Sequence, residues 1–99
     1  MMEVVWLKES TEDLKEIGRH IEKDDPTAAY RVLIIIKASG DSLQRNPELG
    51  RPGRVNQTRE LVVAGYPYIL PYYIKKKQIR ILAVMHTSRK WPDAFSILQ

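Results

Sequence analysis

The sequence predicts an α+β fold: an N-terminal strand, an antiparallel helix hairpin, and a three-stranded antiparallel meander, together forming one sheet with helices against it. Two patterns carry that reading. Apolar residues recur at helical spacing between residues 10 and 46, and three runs of alternating apolar residues follow one another with short turns between residues 59 and 86. With 99 residues and 43% hydrophobic content, residues 1–99 are expected to form one domain around one core.

Met2 to Leu7 reads as a strand buried on both sides, with Val4 and Trp6 on one face and Val5 and Leu7 on the other. Ser10 then offers an N-cap, with Asp13 three residues on, and acidic residues crowd the first turn, where the helix dipole favours them. Leu14, Ile17, Gly18 and Ile21 share a face of this first helix, which should end near Lys23. Asp25 caps the second helix and Pro26 occupies its first position. Ala29, Val32, Leu33, Ile36, Gly40 and Leu43 carry its stripe to the stop at Asn46-Pro47, and so short a connection should fold the two helices into an antiparallel hairpin. Ile34 lies almost opposite the stripe and Ile35 at its side. They mark a second packed layer, a chance exposed isoleucine, or a surface for a partner.

Pro47 to Thr58, reading PELGRPGRVNQT, is expected to be a loop. In the meander, Leu61 and Val63 alternate with Glu60 and Val62, while Tyr66, Tyr68, Leu70, Tyr72 and Ile74 share one face of the second run. Pro67 and Pro71 each remove a ladder donor. Being four apart they remove it from the same edge, so pairing should suffer on that side alone. Lys75-Lys76-Lys77-Gln78 makes a charged hairpin tip without the Asn-Gly signal of a tight turn, and Ile79, Ile81, Ala83 and Met85 share one face of the third run. Beyond His86 the sequence breaks at Pro92, with Asp93 as a cap for a final helical turn through Leu98.

Composition narrows the chemistry. There is no cysteine, so disulfides and thiolate metal sites are excluded, and no leader or long apolar run is present, so a soluble, cytoplasmic protein without membrane attachment is expected. Two histidines, few carboxylates in the C-terminal half and no nucleotide-binding fingerprint argue for neither metal nor cofactor. The net charge is +4, divided as −3 over residues 1–50 and +7 over residues 51–99. A basic sheet half suits phosphates or an acidic partner protein, and equally a solvated surface.

Arg51, Arg54, Arg59, Arg80, Arg89 and Lys90 are the candidates for holding phosphate, because guanidinium forks bond phosphate oxygens in pairs. His86, where strand gives way to loop, is placed either for proton transfer near neutral pH or as a structural hydrogen-bonding residue. His20 sits in a polar helix segment and suggests nothing. The tyrosines at 66, 68, 72 and 73 could stack on bases, but at a period of two they read more simply as core and sheet-face residues.

The order of strand, helix hairpin, Gly/Pro/Arg loop, meander and basic tail resembles the RelE/ParE superfamily of type II toxin–antitoxin toxins over nearly the whole chain. The pieces that carry the resemblance are PELGRPGR, RELVVAGYPYILPYYI with Arg59 and Gly65, and IRILAVMHTSRKWP with His86 and Arg89. The resemblance implies a small basic toxin held inactive by a cognate antitoxin that wraps it with helical segments, in a hetero-oligomer. On that reading Ile34, Ile35 and the basic sheet rim lie partly under antitoxin. Two branches differ in target. A RelE-like toxin cleaves mRNA on the ribosome, and Arg59, His86 and Arg89 would then be catalytic, with Arg51, Arg54, Arg80 and Lys90 binding nucleic acid. A ParE-like toxin instead inhibits DNA gyrase and is not a nuclease. No tyrosine follows Arg89, and the Gly-Arg-Pro-Gly-Arg loop with the valine–methionine–histidine strand end resembles the ParE branch more closely, so that branch is favoured.

Overall fold

The structure is a computed structural model that describes residues 2–88 and 91–92. Strand β1 (Glu3–Trp6) is followed by helices α1 (Lys8–Glu22) and α2 (Pro26–Asp41), a 3₁₀ turn at Ser42–Gln44, and strands β2 (Arg51–Pro52), β3 (Arg59–Val62), β4 (Tyr68–Lys75), β5 (Gln78–Ile81) and β6 (Met85–His86). The sheet runs β1-β5-β4-β3-β2, with β6 also pairing β4. β1 lies parallel to β5, and the remaining pairs are antiparallel. The α+β class and the order strand, helix hairpin, meander are as the sequence predicts.

The helix hairpin forms as its caps dictate, with one exception. The Asp25 carboxylate accepts the Ala28 N–H at 3.1 Å and Pro26 begins α2. At α1 the expected Ser10 cap is displaced: the helix starts at Lys8 with Leu7 in the cap position and no side-chain cap bond. Ser10 is fully buried inside the first turn, where its hydroxyl donates to the Leu7 carbonyl at 2.7 Å. Asp13 accepts the backbone N–H of Val84 at 3.0 Å, so the carboxylate read as a local capping partner ties α1 to the sheet instead.

Both helices cover one face of the sheet. Val32, Ile36 and Leu43 meet Leu61, Val63, Leu70, Tyr72, Ile79, Ile81 and Val84 in the main core, with Leu14, Ile17, Ile21 and Ile35 half-buried at its border. Ile69, Ala83, Met85 and Trp91 form a smaller cluster with Val55 packed against them. β1 departs from expectation: as an edge strand its Val4, Val5 and Trp6 are only half-buried, because among the described residues one flank has no neighbouring strand. The 47–58 loop also departs, since Arg51 and Pro52 pair with Glu60 and Arg59.

The third run of the meander is interrupted. Tyr72 pairs with Ile81 and Tyr68 with His86, so the strand carries one residue more than β4 over that interval, a bulge across residues 82–84. Pro71 sits opposite: it accepts the Leu82 N–H at 2.8 Å but has no N–H to return, and Pro67 likewise accepts from Thr87 at 2.9 Å. The β3 side of β4 pairs without interruption from Arg59–Tyr72 to Val62–Ile69. The extra residue reverses the side-chain alternation. Ile79 and Ile81 face the helices, whereas Ala83 and Met85 join the smaller cluster, so the four do not share the one face expected of them.

Candidate functional site

The residues singled out for phosphate or proton chemistry do not converge. Arg59 stands at the start of β3 opposite Tyr72, and its Nη1 donates to the carbonyls of Gly50 at 2.8 Å and Glu48 at 3.3 Å. Arg51, on β2, forms an ion pair with the buried Glu60 carboxylate of the neighbouring β3. Arg80 donates to Gln78 at 3.0 Å and to the Tyr73 hydroxyl at 3.3 Å, lying over the Tyr73 ring. Arg54 is exposed, in the segment before β3, and forms no ion pair among the described residues. Arg89, Lys90 and the segment from Asp93 to Leu98 lie outside the described residues.

His86 is exposed and pairs with Tyr68, the two rings meeting edge to face at 5.7 Å. Its Nδ1 accepts the Ser88 N–H at 3.1 Å and lies 2.8 Å from the Ser88 hydroxyl, so that nitrogen is committed to the turn leaving β6. Arg59 and His86 flank β4 on opposite sides and four residues apart along it, which separates their Cα atoms by roughly 16 Å. The bulge places His86 on the helix side of the sheet, where it opens into a cleft of about 280 Å³ with His20, Asp13, Glu16 and Tyr68. The sequence reading assigns His20 no role, because nothing local to α1 signals that it faces the end of β6. Glu16 is itself paired with Arg19 at 2.7 Å, and that bond holds its carboxyl below the usual range. Among the described residues no group of three or more His, Asp or Glu is placed to hold a metal ion.

Arg59 belongs instead to a buried polar knot. The Tyr72 side chain is fully buried, and its hydroxyl donates to the Pro47 carbonyl at 2.8 Å while accepting the Gly50 N–H at 2.9 Å. Burial pushes its pKa above the ordinary tyrosine value, the Gly50 N–H and the nearby Arg59 charge opposing that rise. A Cβ at Gly50 would lie 2.6 Å from Tyr72 Cε1, so only glycine lets the loop reach this hydroxyl. These bonds fix the loop between helix and sheet, and they occupy the guanidinium that the sequence reading offers to a phosphate.

An open apolar surface lies on the helix hairpin. A groove of about 580 Å³ runs between α1 and α2, lined by Leu14, Tyr30, Leu33, Ile34 and Ala38, with Lys15, Lys37 and Asp41 as its charged members. Ile34 is 48% exposed and Tyr30 70% exposed, while Ile35 packs half-buried against the core. Tyr30 escapes the sequence reading, although it lies one turn before Ile34 on the same face of α2. A concave apolar strip along two helices is the shape that takes an amphipathic helix.

A family model described as "ParE toxin of type II toxin-antitoxin system, parDE" matches residues 4–91. The chain is 49% identical over 88 residues to a protein of Sinorhizobium fredii (strain NBRC 101917 / NGR234) named "Putative toxin Y4kP", a match covering 89% of this chain and 91% of that one. A solved structure described as "Chromosomal ParDE TA system from P. aeruginosa" superposes with a TM-score of 0.81 at 28% identity, over 87% of this chain and 96% of the other. No helix among the described residues is long and apolar enough to cross a membrane. With the family model, a relative at 49% identity and the fold in agreement over nearly the full length, the chain belongs to the ParE toxin family of type II toxin–antitoxin systems.

Proposed function

We propose that this toxin arrests growth in the cytoplasm by inhibiting DNA gyrase, and that a cognate antitoxin restrains it by laying a helical segment into the groove beside Ile34. One observation carries the choice of gyrase over ribosome-bound mRNA: the Arg59 guanidinium, central to any nuclease site in this sequence, is turned onto the backbone carbonyls of Glu48 and Gly50. A nuclease of this size must hold the scissile phosphate beside its acid and base within hydrogen-bond reach. Here Arg59 and His86 stand on opposite flanks of β4, and Arg51 neutralises Glu60. The match to a ParDE system supports the antitoxin, and the apolar groove suits the apolar face of a helix, with Lys15 beside it to meet a flanking carboxylate while Lys37 is held by Asp41.

The test is induced expression without antitoxin, with DNA and protein synthesis labelled separately over the first minutes. DNA synthesis should stop first, and purified toxin should inhibit supercoiling by purified gyrase. Early arrest of protein synthesis with cuts in translated mRNA would overturn the gyrase reading in favour of the nuclease one.

A further inference from the structure

The turn joining β4 to β5 is made of lysines in a backbone geometry that lysine disfavours. Lys75 pairs with Gln78, leaving Lys76 and Lys77 as the two loop residues, with φ of 52° and 64°. Two consecutive left-handed residues make a turn of the I′ kind, whose twist suits a hairpin and whose usual occupants are Asn and Gly, because a Cβ crowds the following carbonyl there. Three adjacent ammonium groups also repel one another. Neither the stereochemistry nor the electrostatics of the hairpin itself favours lysine at these positions.

A fourth cation stands beside them. Arg45, at the end of the 3₁₀ turn, lines with Lys77, Met2, Gln44 and Pro47 an open depression of about 640 Å³ that, among the described residues, has no carboxylate side chain in its walls. Among the described residues Lys75, Lys76, Lys77 and Arg45 form no ion pair, whereas Arg19, Lys37 and Arg51 each hold a carboxylate.

We propose that Lys75, Lys76, Lys77 and Arg45 form a contact surface for the phosphate backbone of duplex DNA. Lysine is depleted from protein–protein interfaces, whose cores draw on aromatic side chains, and this tip carries none. Single-strand binders need aromatic platforms for stacking, and Tyr72 and Tyr73, the nearest on β4, are buried. What remains is point charge on flexible stems at a protruding turn, which is what backbone phosphates require. The proposal stands apart from the gyrase reading, because its probe is bare DNA.

The experiment measures binding of the purified full chain to a short labelled DNA duplex by fluorescence anisotropy, between about 50 and 200 mM salt. The variant Lys76→Asn/Lys77→Gly removes two charges and supplies the residues the turn prefers, so it should melt higher than wild type. It should also bind at least about tenfold more weakly, with a log–log salt slope shallower by about 1.8. The control Lys23→Gln/Arg31→Gln removes the same charge from the helix hairpin, with Arg31 about 15 Å along α2 from its end at Asp41, beyond which Arg45 lies. It should bind as wild type does. Absence of wild-type binding, equal binding by the turn variant, an equal loss in the control, or tighter binding of polyglutamate or single-stranded DNA would each overturn the proposal.

Discussion

The Tyr72 hydroxyl accepts the backbone N–H of Gly50 at 2.9 Å, joining the middle of the sheet to a loop twenty-two residues earlier. Because the same hydroxyl donates to the Pro47 carbonyl, one buried oxygen satisfies two backbone groups of a segment that has little regular structure of its own. Tyr72→Phe would keep the ring and leave both groups without that partner. We expect a loss of about 1–3 kcal/mol, read as a lower denaturation midpoint at unchanged m-value. Wild-type stability in the variant would show that the loop is held without this hydroxyl.

The same residue sets an alkaline limit. Burial raises the Tyr72 pKa above its value in the unfolded chain, so between the two values the folded state keeps a proton that the unfolded state has lost. Its stabilising contribution is therefore complete below about pH 10 and is lost as pH rises through the folded-state value. Stability measured from pH 8 to pH 11 should fall at the alkaline end in wild type, and the fall should be smaller in Tyr72→Phe. Parallel profiles would assign the alkaline loss to other groups.

Much of this fold is written locally. Asp25-Pro26 announces α2, and the alternation of Leu70 with Tyr72 announces a strand whose inward side chains reach the core. The bulge across residues 82–84 is not legible, because nothing in the alternation of Ile79, Ile81, Ala83 and Met85 marks the extra residue, and Pro71 signals only that pairing fails on that edge. One inserted residue then moves His86 to the helix side, while Arg80 stays on the outer face opposite Tyr73. The site is less legible than the fold for the same reason. An arginine in sequence is a free cation, and whether Arg59 meets a phosphate or a neighbouring carbonyl depends on long-range packing around Tyr72.

His86 offers a direct check on the nuclease alternative. Its Nδ1 serves the Ser88 N–H at an exposed turn, so His86→Ala should cost less than about 1 kcal/mol. Toxicity without antitoxin should be retained. Loss of toxicity in a folded His86→Ala protein would return proton transfer to this position and weigh against gyrase as the target.

Gly40 tests how the edge strand is fastened. Trp6 lies against it, the indole N–H donating to Asp41 at 3.0 Å while the Lys37 ammonium, itself bonded to Asp41, stands 5.3 Å from the ring centroid. A Cβ on Gly40 would overlap Trp6 Cζ2, so the indole would have to shift, straining its bond to Asp41. Gly40→Ala should therefore destabilise by about 1–3 kcal/mol despite its better helix propensity. Trp6 emission should shift to the red as the ring leaves the helix. A more stable variant would mean that the edge strand adjusts freely.

Ile34 separates the proposed antitoxin groove from the core, because its neighbours on α2 have opposite fates. Ile36 is fully buried, and Ile36→Ala should cost about 2–5 kcal/mol through the cavity it leaves. Ile34 is half exposed at the groove, so Ile34→Asp removes little from the fold and should change stability by no more than about 0.5 kcal/mol. A carboxylate there would be desolvated against the apolar side of a docked helix, with Lys37, three residues on, already bonded to Asp41. Affinity for the cognate antitoxin, measured by calorimetry, should fall at least about thirtyfold, the size of an interface hot spot at about 2 kcal/mol. Tyr30→Ala, in the same groove, should weaken binding too without altering the melting temperature. Unchanged affinity in both variants would move the antitoxin off this groove, and the apolar strip on the helix hairpin would then need another occupant.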